Sequence, residues 1–394
     1  MKKVLSVLLA IVMVAVMAVP AFAANTTVNF DDTFKFNSDG KFKIMMLNDC
    51  QEMILKDKME YEYVSKAIEN QQPDLIVFAG DQVTSFFPFA NGEQIEQCIR
   101  QFFDTVIGPS GVPFIVTFGN HDHDWEDELS LEEQMAIYKS YDNCAIPDNV
   151  CDLGTYNVPV YRSNGLGAAL NIYMFDTHAK ASDGSVSGYE GVRSEQLDWY
   201  RSTRDSLRTL NAGRLVPSIV FQHIPVKEIY QFVENVPVTS DLTDAVFNLD
   251  DGKWYALNDK VIDGKMGEVP CSESVDGHTG EYQAWLEEGE IIGAFFGHDH
   301  VNSFVGITDE GLKMGYNGGT GFSTYGDGGN RSVRIFEFDE KDVENYETYE
   351  YTYNDVMGDN MDFFVMDLAS VTLFTKIFKA LVGILPEVIL NLFA

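Results

Sequence analysis

Apolar runs that stop on a polar residue recur along this chain. FKIMMLN ends at Asp49, DLIVFAG at Asp81, VPFIVTFG at Asn120, VPSIVFQ at His223 and IIGAFFG at His298. The runs are short, rich in β-branched and aromatic residues, and apolar without alternation, which predicts strands buried on both faces. AALNIYMFD and SVRIFEFD read as two further strands. Between these lie YEYVSKAIEN, GEQIEQCIRQFFDTV, LEEQMAIYKSY and SEQLDWYRSTRDSLRTL, all with helical spacing. Strands alternating with helices predict an α/β fold whose sheets are covered by helices. Ligands in such folds bind beyond the carboxyl ends of the strands. The five polar residues therefore converge on one site.

The rest of the chain is read more coarsely. Residues 234–280 are loop-rich and read as an insertion, and YNGGTGFSTYGDGGN is a glycine-dense loop soon after His298. Residues 1–23 combine Lys2 and Lys3, an apolar stretch and the small residues AFA, the pattern of a signal peptide cut after Ala23, so the mature protein is expected to be secreted. A single domain then fills residues 24–360, and residues 361–394 form an amphipathic helical segment. In that segment Val371, Phe374, Phe378, Leu381 and Leu385 share one helical face, with Thr375, Lys376 and Lys379 opposite. Its lysines, Pro386 and Glu387 make it a poor membrane span. It is expected to dock on the domain or on a partner chain, or else on a membrane surface.

Composition narrows the chemistry. With 394 residues, 45% of them hydrophobic, the chain can bury a large core. Asp and Glu number 61 against 27 Lys and Arg, a net charge of −34. That field repels polyanions, so nucleic acid is excluded as a partner bound through charge. A phosphate-bearing ligand needs a local positive centre, which metal ions supply. Five cysteines without a CxxC pair are too few for a disulfide scaffold or a structural zinc site. Cys144 and Cys151 flank AIPDNV and are either a short-loop disulfide or two free thiols.

Only seven histidines are present, and two stand at His298 and His300. Alternate side chains of an extended segment share a face, so this pair can reach a common centre. Asp49, Asp81, Asn120, His223, His298 and His300 together offer carboxylate, amide and imidazole without thiolate, a set that suits two divalent ions such as Mn, Fe or Zn.

In order, GDQV, GNHD, the lone His223 and GHDH resemble the calcineurin-like metallophosphoesterases, whose pattern runs DxH, GDxx, GNH(D/E), H and GHxH. The first element departs from it, because DCQ places Gln51 where the family has histidine. The likeness spans residues 41–340. GYEGVRSEQLDWY, FQHIPVKE, GHDHVNSF and GYNGGTGFSTYG are similar to the purple-acid-phosphatase-like subgroup. The GDxxY tyrosine of the coloured enzymes is replaced by Thr84, so a coloured ferric site is not expected.

The resemblance implies an αββα sandwich of two mixed β-sheets flanked by helices. It implies two divalent metal ions, of Mn, Fe, Zn or Mg. Asp49, Asp81, His300 and Gln51 would hold one, and Asp81, Asn120, His223 and His298 the other, with Asp81 bridging. His121 would face the phosphate and protonate the leaving oxygen, with Asp122 holding its imidazole. Asp299 would orient a histidine from outside. The implied reaction is hydrolysis of a phosphate monoester by hydroxide held between the metals. The alternatives are a phosphodiesterase or nucleotidase, or a non-catalytic metal- or phosphate-binding protein with a degenerate first site. His123 is expected in a loop and His178 and His278 at the surface. Gly318 to Gly321 form a tight turn or bring N–H groups near phosphate.

Overall fold

The computed structural model describes residues 34–53, 58–83, 90–148, 150–179, 188–273 and 280–358. The expected signal peptide, the C-terminal amphipathic segment, Thr84 and His278 lie outside the described residues. In chain order the strands are β1 (Phe34–Lys35), β2 (Lys41–Leu47), β3 (Leu75–Ala79), β4 (Phe114–Thr117), β5 (Tyr156–Tyr161), β6 (Ala168–Phe175), β7 (Ser218–Gln222), β8 (Val233–Val236), β9 (Val246–Asn248), β10 (Lys253–Leu257), β11 (Val261–Asp263), β12 (Ile291–Phe296), β13 (Val305–Ile307), β14 (Lys313–Tyr316), β15 (Ser332–Asp339) and β16 (Glu347–Thr352).

Two of the sheets are large and mixed. One has five strands in the order β16-β15-β2-β3-β4, and the other eight in the order β1-β5-β6-β7-β12-β14-β13-β11. The strands that carry the expected site residues, β2 to β4 in one sheet and β7 and β12 in the other, are parallel to their neighbours within each set. β15 runs antiparallel to β2 and β16; in the larger sheet β5 runs antiparallel to β6, and β13 to both β14 and β11. Every apolar run singled out in the sequence is one of these strands.

The two sheets face each other. Phe221 of β7 and Phe295 of β12 meet Phe336 of β15 with ring centroids 5.2 and 4.6 Å apart. Their chain neighbours Val220 and Phe296 point the opposite way, into a second apolar cluster with Tyr173, Tyr200 and Trp285. Strands with apolar residues at consecutive positions can serve both faces in this way, because successive side chains alternate. Buried Arg334 of β15 crosses between the sheets, donating from Nε to the Tyr316 carbonyl and from Nη2 to the Ser303 carbonyl, each at 2.8 Å.

Helices cover both outer faces. On the smaller sheet lie α1 (Lys58–Gln71), α2 (Gly92–Phe102) and α3 (Leu131–Lys139). Tyr61 packs on Phe102 at 5.2 Å, and Phe102 on Phe78 of β3 at 6.3 Å. Tyr138 reaches Phe103 at 5.1 Å, which in turn meets Phe114 of β4. Capping boxes start two of these helices, Asn91 with Gln94 and Ser130 with Glu133, satisfying N–H groups that the first turn leaves open. On the larger sheet, α4 (Ser194–Leu210) lays Tyr200 on Tyr173 of β6 at 5.1 Å. The result is the αββα arrangement that the resemblance implied.

One expectation needs adjustment and one alternative is decided. Residues 234–280 are not simply loop, since β8, β10 and β9 form a three-stranded antiparallel sheet there and β11 joins the large sheet. Strands of three to five residues are too short to leave a periodic signal. Cys144 and Cys151 are free thiols.

Candidate metal centre

Beyond the carboxyl ends of β2, β3 and β12 the chain turns sharply. Asp49, Gln51, Asp81 and His298 have φ of 52°, 46°, 55° and 77°. L-residues avoid this left-handed region at a cost of roughly 1–2 kcal/mol each, so something must hold them there. Backbone pairing continues past the strands: the N–H of Asp49 donates to Gly80 O at 3.0 Å, Gln51 to Asp81 O at 3.0 Å, and Glu52 to Gln82 O at 2.8 Å. The glycines before Asp81 and Asn120 are steric requirements. A Cβ on Gly119 would lie 2.3 Å from Asp81 Oδ1, and one on Gly80 would lie 2.6 Å from His223 Nδ1.

These turns bring the expected ligands together. Asp49 Oδ1 lies 3.1 Å from His300 Nε2 and 3.8 Å from His223 Nε2. Asp81 Oδ2 lies 3.2 Å from His223 Nε2 and accepts from Gln51 Nε2 at 3.1 Å. The same Gln51 nitrogen is 3.3 Å from His300 Nε2. The His298 ring stands edge-on to that of His223, with centroids 5.2 Å apart. Asn120 opens the short helix Asn120–His123 directly beyond β4, and the backbone N–H of His121 donates to Asp81 Oδ1 at 2.9 Å.

The outward-facing atoms of these side chains are held. His223 Nδ1 donates to Ala79 O at 2.9 Å. His300 Nδ1 donates to Tyr325 O at 2.8 Å, and its ring stacks on Tyr325 at 4.1 Å and 5°. Asp49 Oδ2 accepts from Asn48 Nδ2 at 2.6 Å and from the His298 N–H at 3.0 Å. Among the described residues the inward-facing Asp49 Oδ1 and His223 Nε2 have no hydrogen-bond partner, and neither has Asn120 Oδ1. Buried polar atoms are seldom left so. Imidazoles fixed through one nitrogen with the other aimed at carboxylates make the arrangement that supports a metal ion. Asp49, Asp81 and His300, whose ligating atoms lie within 4.8 Å of one another, therefore fit a cation, and His223, 3.2 Å from Asp81 Oδ2 with the His298 ring beside it, leaves room for a second.

The electrostatics agree with that fit. Burial works against ionisation of Asp49 and Asp81, but His300 and His223 hold Asp49 below the usual carboxylate range, and His223 and His121 hold Asp81 far below it. Burial opposes charge on His223, yet Asp81 and Asp49 push its imidazole up to about 10. A cation between these groups takes the place of that proton, which metal binding releases. Burial, reinforced by His223, lowers His298 to about 3, leaving it neutral as a ligand must be.

Several sequence expectations are corrected here. Asp122 does not hold the His121 imidazole. Its oxygens accept from the backbone N–H groups of Gly119 and Asp81 at 2.8 Å and of Gln82 at 3.0 Å, locking the turn that presents Asp81. Burial and the Asp81 charge push Asp122 up to about 7. The residue on His121 Nδ1 is Asp124, at 2.8 Å. Burial opposes the charge on His121, but this bond and nearby Asp81 raise it to about 9. Asp299 faces away as expected, yet it accepts from the Cys271 N–H at 3.0 Å rather than orienting a histidine. The glycine loop presents no N–H groups to the centre: Thr320, Gly321 and Gly319 donate to Asn48 O, Asp49 O and His300 O at 3.0, 3.1 and 3.0 Å. His178 is buried rather than at the surface, and His123 joins it beside Asp176.

A family model described as calcineurin-like phosphoesterase matches residues 42–302. The Arabidopsis thaliana protein named "Probable inactive purple acid phosphatase 14" is 27% identical over 337 residues, which cover 77% of this chain and 76% of that one. Its relative named "Probable inactive purple acid phosphatase 28" is 26% identical over 343 residues, again 77% and 76%. Among solved structures, a purple acid phosphatase from yellow lupin (Lupinus luteus) seeds matches with 11% identity and a TM-score of 0.44, over 80% of this chain and 55% of that one.

Proposed function

The chain belongs to the calcineurin-like phosphoesterase family, and on that premise we propose that it is a metal-dependent hydrolase of phosphate monoesters. The observation that carries this reading is the convergence of buried Asp49, Asp81, His223 and His300, with outer atoms held and inner atoms Asp49 Oδ1 and His223 Nε2 lacking partners. When bound, divalent ions supply Lewis-acid charge and a water acidified towards neutral pH. The chain's own residues do the rest. Asp81 touches both ligand sets and fixes their spacing. Its Oδ1 holds the His121 N–H, which sets the imidazole at the edge of the centre. Asp124 holds His121 Nδ1, so Nε2 is the nitrogen that passes a proton to the departing oxygen. Residues 1–23 support export, and an intact secreted form beginning at Ala24 is the outcome that tests it.

One observation favours a second reading, a binding protein without turnover. Gln51 stands at the family's histidine position, with its Nε2 on Asp81 Oδ2, and two relatives carry names that call them probably inactive. Metal content measured alongside hydrolysis of p-nitrophenyl phosphate and bis-p-nitrophenyl phosphate separates the readings. Preference for the monoester supports the proposal, and preference for the diester replaces it with a phosphodiesterase or nucleotidase. Two bound metals with turnover of neither ester supports the binding protein.

A further inference from the structure

A second group of ligand-type side chains meets apart from Asp49 and Asp81. His123, at the end of the short helix that begins with Asn120, and Asp176 and His178, just beyond β6, place their ligating atoms within 4.8 Å of one another. All are nearly buried, with side-chain exposures of 8, 4 and 7%. The two clusters share no residue.

The hydrogen bonds fix which nitrogens face inward. Gln196 Nε2 donates to Thr155 Oγ1 at 2.6 Å and to Asp176 O at 2.8 Å, so Gln196 Oε1 is the acceptor end of that amide. It already accepts from the Arg193 N–H at 2.7 Å. His178 Nε2, 3.1 Å from this oxygen, must therefore carry a proton. Likewise His123 Nδ1 donates to Glu126 Oε1 at 2.6 Å. Each ring then turns its other nitrogen on one carboxylate: His123 Nε2 is 3.0 Å from Asp176 Oδ1 and 3.1 Å from Oδ2, and His178 Nδ1 is 3.5 Å from Oδ2. Asp176 Oδ1 is steadied by the His178 N–H at 2.8 Å. Two imidazoles anchored through their outer nitrogens, with inner nitrogens on a shared carboxylate, form a ligand set with its supports in place.

We propose that His123, Asp176 and His178 bind a third divalent transition-metal ion, which staples the turn carrying Asn120 and His121 to the end of β6. Two nitrogens and a carboxylate suit Zn or Fe better than Ca or Mg, whose preferred ligands are all oxygen. The strongly acidic chain favours cation uptake in general, and the imidazoles supply the selectivity. The competing occupant is a proton on each imidazole, which needs no metal. The inference does not depend on phosphoesterase activity, because its test reads metal and not turnover.

The test loads the full chain with Zn, removes the excess, and measures metal by mass spectrometry. His178→Ala is expected to hold about one equivalent less than the unaltered chain. Asp81→Asn, a change in the other cluster, is expected to keep the ion at His178. Anomalous scattering from a Zn-loaded crystal of the unaltered chain is expected to show a peak among His123, Asp176 and His178. Equal metal content in the unaltered chain and His178→Ala overturns the proposal. Should His178→Ala fail to fold, the anomalous map decides alone, and a map without that peak overturns it equally.

Discussion

The two halves of the proposed metal centre use similar side chains but start from different states. In the first half Gln51 already occupies the space, bonded to Asp81 Oδ2 at 3.1 Å and 3.3 Å from His300 Nε2. A cation entering there must turn that amide so that its oxygen faces inward, or push it aside. In the second half a cation displaces a proton and no side chain, because His223 Nε2 faces Asp81 Oδ2 at 3.2 Å and His223 is already aimed by its bond to Ala79 O. Affinity depends on what a ligand set gives up as well as on what it offers. The second half is therefore expected to fill first and to release its ion last.

The largest expected effect erases the difference. Asp81 touches both halves, so Asp81→Ala should lose metal from both and reduce hydrolysis by about 10⁴-fold or more. A crystal of that variant with both ions in place would contradict the bridging role. His121→Ala should leave the order of filling intact. It should slow alkyl phosphates by about 10²–10⁴-fold while affecting aryl esters much less, since a poor leaving group needs the proton. Equal loss on both ester types removes His121 from that role. Gly119→Ala adds a Cβ where Asp81 Oδ1 now lies, 2.3 Å away, and should cost about 10²-fold by moving the bridging carboxylate. If rate and metal content are unchanged, the steric reading of that glycine is wrong. The smallest effect sharpens the comparison most. Gln51→His should tighten the first half by about tenfold, visible as two closely spaced steps in a metal titration in place of one tight and one weak. Titration curves that superimpose would mean that Gln51 does not set the first half's affinity.

Much of this was legible in the sequence because the signals were local. Continuous apolar runs gave the strands, and the glycines of GDQ and GNH marked where the chain turns beneath Asp81 and Asn120. The supports were harder to read because they depend on turn geometry. Asp122 follows His121 directly, but on a helical turn the neighbour at i+1 points elsewhere and the residue at i+3 lies alongside. His121 with Asp124 and His123 with Glu126 both obey that spacing, which is present in HDHDWE once a helical turn is assumed there. His178 stands two residues after Asp176, but its burial depends on Gln196 and His123, which only tertiary packing brings to the end of β6. Tyr325 behind His300 is likewise brought in only by the closing glycine loop, whose Gly321 comes so near Cys50 O that a Cβ would lie 2.0 Å from it.

The ladder that runs on past β2 and β3 has a consequence for isotope exchange. The amides of Asp49, Gln51 and Glu52 sit in turns, where hydrogens ordinarily swap with solvent within seconds to minutes. Here they donate to Gly80 O, Asp81 O and Gln82 O, and Thr320 and Gly321 lock the same turn from its other side. Opening any of them means parting β2 from β3, so these protons should exchange on the schedule of β2 itself. Stripping the metals with a chelator should leave that schedule almost unchanged. The backbone of the centre is then a rigid socket, and emptying it moves the Gln51 side chain and not the turns that carry the ligands.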